Sequence, residues 1–342
     1  MRFVKLKTIL LIFAAGVVSA GAGDWQVVKT FPIGGEGAWD YLTVASSTHR
    51  LYVPRTTHTM VIDSESGKTI GDIPGQKNAH GVAIVTGSNR GFISDGGGNG
   101  AIVIFDLKTN QTLGTLTAVP DADGIIFDEV SKRVLVVSGD KGVLMSFSPE
   151  INPKDGKLDP PIELGGAPEF LASDAAGKVY VNLMDKNEVA VVSLAERKVV
   201  ARWPVSPGGS PVGMALDPAK RQLLIGCRKP QKLVVMSTED GRVLADLPIG
   251  AGVDATKWNQ GFGFASCRDG KLFVSRETTP GKFAIVQTVS TPLGARTMGI
   301  DSTTGTIYLP TAEFDPPKAP GTRPTTKPGS FMIVVVSGRH PE

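Results

Sequence analysis

Six ionisable side chains recur at regular intervals in this chain: Asp40, His80, Asp123, Glu169, Asp254 and Arg296, with Val212 filling the one apolar place in the series. Successive members lie 40 to 46 residues apart. If one fold brings them together, they make four carboxylates, an imidazole and a guanidinium around a common point. Carboxylates with an imidazole can hold a divalent cation, with His80, Asp123, Glu169 and Asp254 as the candidate ligands. His80, Asp123 and Glu169 can also exchange protons with a polar substrate as general acid and base. Arg296 would take a substrate carboxylate or phosphate bidentately. Crowded like charges repel, so either one carboxylate titrates high or a cation sits among them. The plainer alternative is structural: each residue bonds to loop backbone of the next repeat and ties the assembly together.

The elements that must position these residues are read from the phrases they open. Each is followed by a small or apolar stretch, such as Gly81-Val82-Ala83 or Gly124-Ile125-Ile126, then a turn, then a second apolar run. The second runs include Leu51-Tyr52-Val53, Val134-Leu135-Val136 and Leu223-Leu224-Ile225. A period near 40 residues with several short strands per unit predicts a propeller. In the first unit, Leu42–Val44, Leu51–Val53, Met60–Ile62 and Lys68–Ile70 read as four strands, the last two joined by a polar turn ending in Gly67. The final unit has no fourth strand of its own. Gln26–Ile33 matches the fourth-strand phrase Arg242–Ile249 and is expected to complete it. The expected fold class is therefore all-β: a seven-bladed β-propeller of four-stranded blades, its ring closed by the N-terminal strand pairing into the last blade.

The phrases Leu51-Tyr52-Val53-Pro54, Val179-Tyr180-Val181-Asn182 and Ile307-Tyr308-Leu309-Pro310, with Val61-Ile62-Asp63 followed by Gly67-Lys68, look like degenerate YVTN repeats. Over essentially its whole mature length the chain resembles the bacterial YncE-like branch of the YVTN β-propeller family. That resemblance implies a mostly secreted propeller and no single activity.

Residues 1–20 read as a cleavable secretory signal: Arg2, Lys5 and Lys7 precede a short apolar run from Thr8 to Val18 and a small-residue cleavage region. Residues 21–342 then form one domain, periplasmic or secreted, with no membrane span and as a monomer. The 36 Lys and Arg exceed the 33 Asp and Glu by the three basic residues of the signal, so the mature chain is formally neutral. A neutral chain lacks the footprint of a nucleic-acid binder. Cys227 and Cys267, at equivalent strand ends of neighbouring units, are a possible disulfide in an exported protein. Asn182 and Cys227, both at second-strand ends, would stand behind the ring of ionisable residues. His49, His58 and His340 fall in turns or at the terminus. Two stretches depart from the repeat: 148–161, and the proline-rich 315–330, which is expected on the face that carries the ring and able to cover it. No Gly-x-Ser-x-Gly, His-Glu-x-x-His, phosphate-loop or Cys-x-x-Cys-His motif is present.

The function this implies is binding of a small polar ligand, a cation or another periplasmic protein through a polar pocket at the channel mouth. A metal-assisted hydrolase or lactonase using the same carboxylates and His80 is the enzymatic rival. An inert scaffold is the third reading.

Overall fold

The structure, a computed structural model, describes residues 24–317, 322 and 324–339. The secretory-signal reading and His340 lie outside the described residues. Among these the regular structure is strand, twenty-six in all, interrupted only by the single helical turns Ser46–Thr48 and Thr86–Ser88.

Burial explains which runs became which strands. Middle strands such as Lys178–Leu183 and Gln222–Arg228 are buried along their length except at their ends, because both faces of each sheet are covered by neighbouring sheets. Outer strands such as Lys198–Pro204 alternate between exposed and half-buried positions, because only one face is covered. The polar turns between them are built on aspartates: Asp63, Asp106 and Asp128 each accept backbone N–H groups two or three residues on, at 2.7–2.9 Å. Those carboxylates are structural.

Four sheets are self-contained antiparallel meanders of four strands, beginning at Ala122, Pro168, Pro211 and Val253. A fifth joins the two ends of the chain. Its strands Gly299–Ile300, Ile307–Thr311 and Met332–Arg339 are completed by Asp24–Pro32, with Asp24 opposite Arg339 and Pro32 opposite Met332. The expected N-terminal completion of the last unit is thus present as paired strands.

Among the described residues the sheets number six, where the repeat predicts seven. The first two repeats share one six-stranded sheet, because two of its strands run through without a break. Arg50–Asp63 passes through a left-handed Thr56 (φ 58°). Thr69–Val85 pairs with Arg50–Asp63 along its first half and with Arg90–Asp95 along its second. In the connecting segment Asp95 accepts the Lys77 and Asn78 backbone N–H groups at 2.9 and 2.7 Å, as Asp185 and Asp269 accept those of Ala167 and Ala251 in later repeats.

Segment 315–330 is more ordered at its base than its prolines predict. Phe314 bridges Thr326, and Asp315 and Lys327 donate to Thr325 and Glu313 at 2.9 and 2.8 Å, making a short two-stranded arm. Residues 318–321 and 323 of it lie outside the described residues.

Candidate functional site at the channel mouth

The first strands of six repeats surround one cavity of about 550 Å³, lined by residues that follow the recurring series, such as Tyr41, Gly81 and Phe170, and by no member of the series itself. Where these strands begin, the chain repeats one local device. Strand register shifts between Ala79 and Gly81, Ala122 and Ile125, Pro168 and Leu171, Pro211 and Met214, and Val253 and Ala255. Each bulge contains a member of the recurring series: His80, Asp123, Glu169, Val212 and Asp254. A bulge releases a residue from the pleat and re-aims its side chain.

The ring divides into two halves. In the first, His80 Nδ1 lies 2.7 Å from Asp40 Oδ2 and 3.5 Å from Asp123 Oδ1. Its other nitrogen, Nε2, is held by the Asn78 amide at 2.7 Å. Asp123 Oδ1 is buried without a hydrogen-bond partner. In the second half, Asp254 is clamped by two guanidiniums: Arg296 Nε stands 2.8 Å from Oδ2, and Arg228 bonds Oδ1. Arg228 also faces Glu169 at 3.9 Å. Beneath them Tyr41 donates to the Asp254 carbonyl at 3.3 Å and packs on Phe170, with ring centroids 4.6 Å apart.

Burial and crowding set the charges. Burial pulls the His80 imidazole down, but the Asp40 hydrogen bond and the Asp123 and Asp40 charges outweigh it and hold the group at about 9. Burial pushes the Asp123 carboxyl well above its usual range, against the pull of His80. Glu169 is raised to about 7 by burial, with Arg228 opposing and Asp254 and Asp40 adding. Burial also raises the Asp254 carboxyl, with the Arg296 and Arg228 guanidiniums opposing it and Asp40 adding.

These shifts carry a sign. The folded state binds protons more tightly than the unfolded chain at both His80 and Glu169. The His80 contribution is complete below pH 6.5 and disappears as pH rises through about 9. The Glu169 contribution is lost between pH 4.5 and about 7. Protein stripped of metal is therefore expected to melt several degrees lower at pH 9.5 than at pH 5.5, read by circular dichroism at constant ionic strength. An unchanged or rising melting temperature would contradict the His80 environment.

The structure brings Asp40, His80, Asp123, Glu169, Asp254 and Arg296 to one rim and excludes Val212, which is fully buried in an apolar cluster. Among the described residues, the group with ligand atoms close enough to share an ion is Asp40, His80 and Asp123, all within 4.8 Å of one another. Glu169 and Asp254, candidate ligands by sequence, face Arg228 and the two guanidiniums instead. Asn182 ties neighbouring sheets together, donating to the Val212 and Gly213 carbonyls at 2.8 and 3.1 Å. Cys227 and Cys267 are unbonded thiols, not a disulfide. They sit in different apolar clusters, where burial pushes each up to about 12. His49 and His58 sit near Glu65 and Asp72 at 3.4 and 3.8 Å, away from the rim.

Sequence reasoning missed Arg228. It belongs to the repeat whose series member is Val212, and it reaches the rim from the end of the second strand. The one available signal was its place directly after Cys227.

No protein-family model matches the chain, and no curated relative matches it. Solved structures do. A chain of Kuenenia stuttgartiensis hydrazine synthase aligns with a TM-score of 0.70 and 11% identity, over 81% of this chain and 93% of that one. The crystal structure of the RRP9 WD40 repeats aligns with a TM-score of 0.73 and 13% identity, over 91% and 97%. The fold is an all-β propeller of four-stranded blades. At such low identity the likeness extends to the fold alone. Among the described residues no helix is long and apolar enough to cross a membrane.

Proposed function

We propose that this chain is an exported, YVTN-type propeller whose channel mouth binds a divalent cation through Asp40, His80 and Asp123. The observation that carries the reading is the convergence of one nitrogen and two carboxylate oxygens within 4.8 Å, one of them the buried Asp123 oxygen that has no hydrogen-bond partner. A cation there would replace the proton that now lets His80 sit between two carboxylates. With the Asn78 amide turned so that its oxygen accepts the Nε2–H, Asn78 would orient the ring, as outer partners of ligating histidines do. One imidazole with two carboxylates suits zinc or manganese better than calcium.

Seven blades in a closed ring is the architecture we infer for it. Seven repeats support this count, as do bonds from first strand to first strand. Thr43 Oγ1 donates to Val82 at 2.6 Å, the Ala255 N–H to Arg296 at 3.1 Å, and Thr297 Oγ1 to Asp40 at 3.1 Å, linking the last repeat to the first. Export rests on the composition of residues 1–20, and the YVTN reading on the Tyr-containing second strands.

One observation favours the enzymatic version. Glu169, held at about 7 beside the cluster, is poised to take a proton at neutral pH, as the base of a metal-assisted hydrolase or lactonase must.

The test is titration of metal-free protein with Zn²⁺ and Mn²⁺ by calorimetry. One equivalent is expected to bind, and Asp123→Asn or His80→Ala to weaken it by about a hundredfold or more. Because a proton must leave His80, affinity should rise about tenfold per pH unit from 6 towards 9. No uptake by the native protein, or uptake indifferent to both substitutions, would overturn the cation site.

A further inference from the structure

A second cavity, of about 360 Å³, opens beside the mouth between the proline-rich arm and the sixth and seventh repeats. Its walls have two characters. Trp39, Leu293, Phe314 and Pro324 supply an apolar surface, and Arg268 and Arg296 supply two guanidiniums. Trp39 and Phe314 face each other with ring centroids 6.2 Å apart.

The pocket is built, not incidental. Gly294 adopts φ +80°, and a Cβ there would stand 2.5 Å from the Phe314 ring, so glycine is what lets that ring lie against the backbone. The Arg268 carbonyl accepts the Gly294 N–H at 2.8 Å, and the Arg268 N–H donates to Gly252 at 3.0 Å, fixing the base of the arginine from both sides. Arg296 Nε stands 2.8 Å from Asp254 Oδ2 as an ion pair without a hydrogen bond, and among the described residues its two terminal nitrogens have no carboxylate partner. Paired through its inner nitrogen, the arginine keeps its outer edge for a ligand.

We propose that this pocket binds a small organic carboxylate with an apolar body: the body between Trp39, Leu293 and Phe314, the carboxylate on Arg268 and Arg296. A planar carboxylate matches the guanidinium fork, and two cations beside an apolar wall select against neutral and cationic ligands of the same shape. The volume fits a ligand of one ring and a short side chain. The site shares Arg296 with the mouth but needs no cation there, so it stands or falls independently of the metal reading.

The probe is 3-phenylpropionate, titrated by calorimetry in EDTA, with 3-phenylpropionamide as the neutral match. The acid is expected to bind at least about tenfold tighter than the amide, and Arg268→Gln to remove that preference. Leu293→Trp, at a position 64% exposed, should fill the cavity, melt as the native protein does and abolish binding. That variant keeps the test decisive if Arg268→Gln proves unstable. Equal binding of acid and amide, acid binding untouched by Leu293→Trp, or no acid binding at millimolar concentration would each overturn the proposal.

Discussion

A chain lacking residues 24–32 is expected to lose cooperative unfolding and to self-associate. That strand supplies two large buried side chains, Trp25 and Phe31, at 2% and 7% exposure. Trp25 stands edge-on to Phe264, with centroids 4.7 Å apart, and so joins the last sheet to the one before it. Phe31 lies where the Gly67 turn of the first repeat closes over it: a Cβ on Gly67 would fall 2.3 Å from its ring. The strand thus connects the end of the chain to its beginning and to its sixth repeat. Losing each aromatic costs about 3–5 kcal/mol, and the whole native state is worth only about 5–15 kcal/mol. Deletion would also leave Met332–Arg339, with Ile333, Val334, Val335 and Val336 buried along it, as an open edge that invites another chain. Gel filtration and thermal melting check this directly. A monomer that melts cooperatively within a few degrees of the full chain would show that the terminal pairing is dispensable and would count against a closed ring. Trp25→Ala in the intact chain separates the aromatic contribution from that of the strand, and is expected to lower stability by about 3–5 kcal/mol.

Much of this arrangement was legible because a repeat states it several times. The period, the apolar runs and the match of Gln26–Ile33 to Arg242–Ile249 gave the four-stranded units and the pairing of the termini. The join between the first two repeats was not legible. It lies in two strands that continue from one repeat into the pairing of the next, Arg50–Asp63 and Thr69–Val85, which no local pattern announces. The rim was legible as a set of residues because its members open the same phrase in each unit, five of them within a bulge. Its division into two halves was not: Arg228 and Arg268 each follow a cysteine at a second-strand end, and spacing does not announce that Arg228 reaches Asp254 and Glu169 while Arg268 lines the neighbouring cavity. Once Arg228 and Arg296 occupy Asp254, that carboxylate is removed from any cation site, and Asp40 takes its place beside His80 and Asp123. The cysteines show the same limit. Equivalent positions in neighbouring units predict proximity, but each thiol belongs to its own apolar cluster.

Asp254→Ala is expected to destabilise the protein by about 3–5 kcal/mol, because it leaves two guanidiniums at a buried rim without their shared partner. Asp254 itself is only 5% exposed, and Arg228 also draws on Glu169, at the longer distance of 3.9 Å. That second carboxylate offers partial relief, so Glu169 should become the ionised partner in the variant and its pKa should fall from about 7. Asp254→Ala combined with Arg228→Met should recover part of the loss, since it removes one of the two stranded guanidiniums and leaves Arg296 alone unpaired. Urea unfolding of the single and double variants provides the measurement, with the carboxyl titration of Glu169 as the second readout. The outcome also sorts the two halves of the rim. If Asp254 serves to hold Arg228 and Arg296 in position, its loss weakens carboxylate binding beside Arg296 but leaves zinc or manganese binding at Asp40, His80 and Asp123 within a fewfold of native. If instead Asp254→Ala melts like the native protein and loses the metal, Asp254 belongs to the cation site and the two arginines are its regulators, not its structural partners.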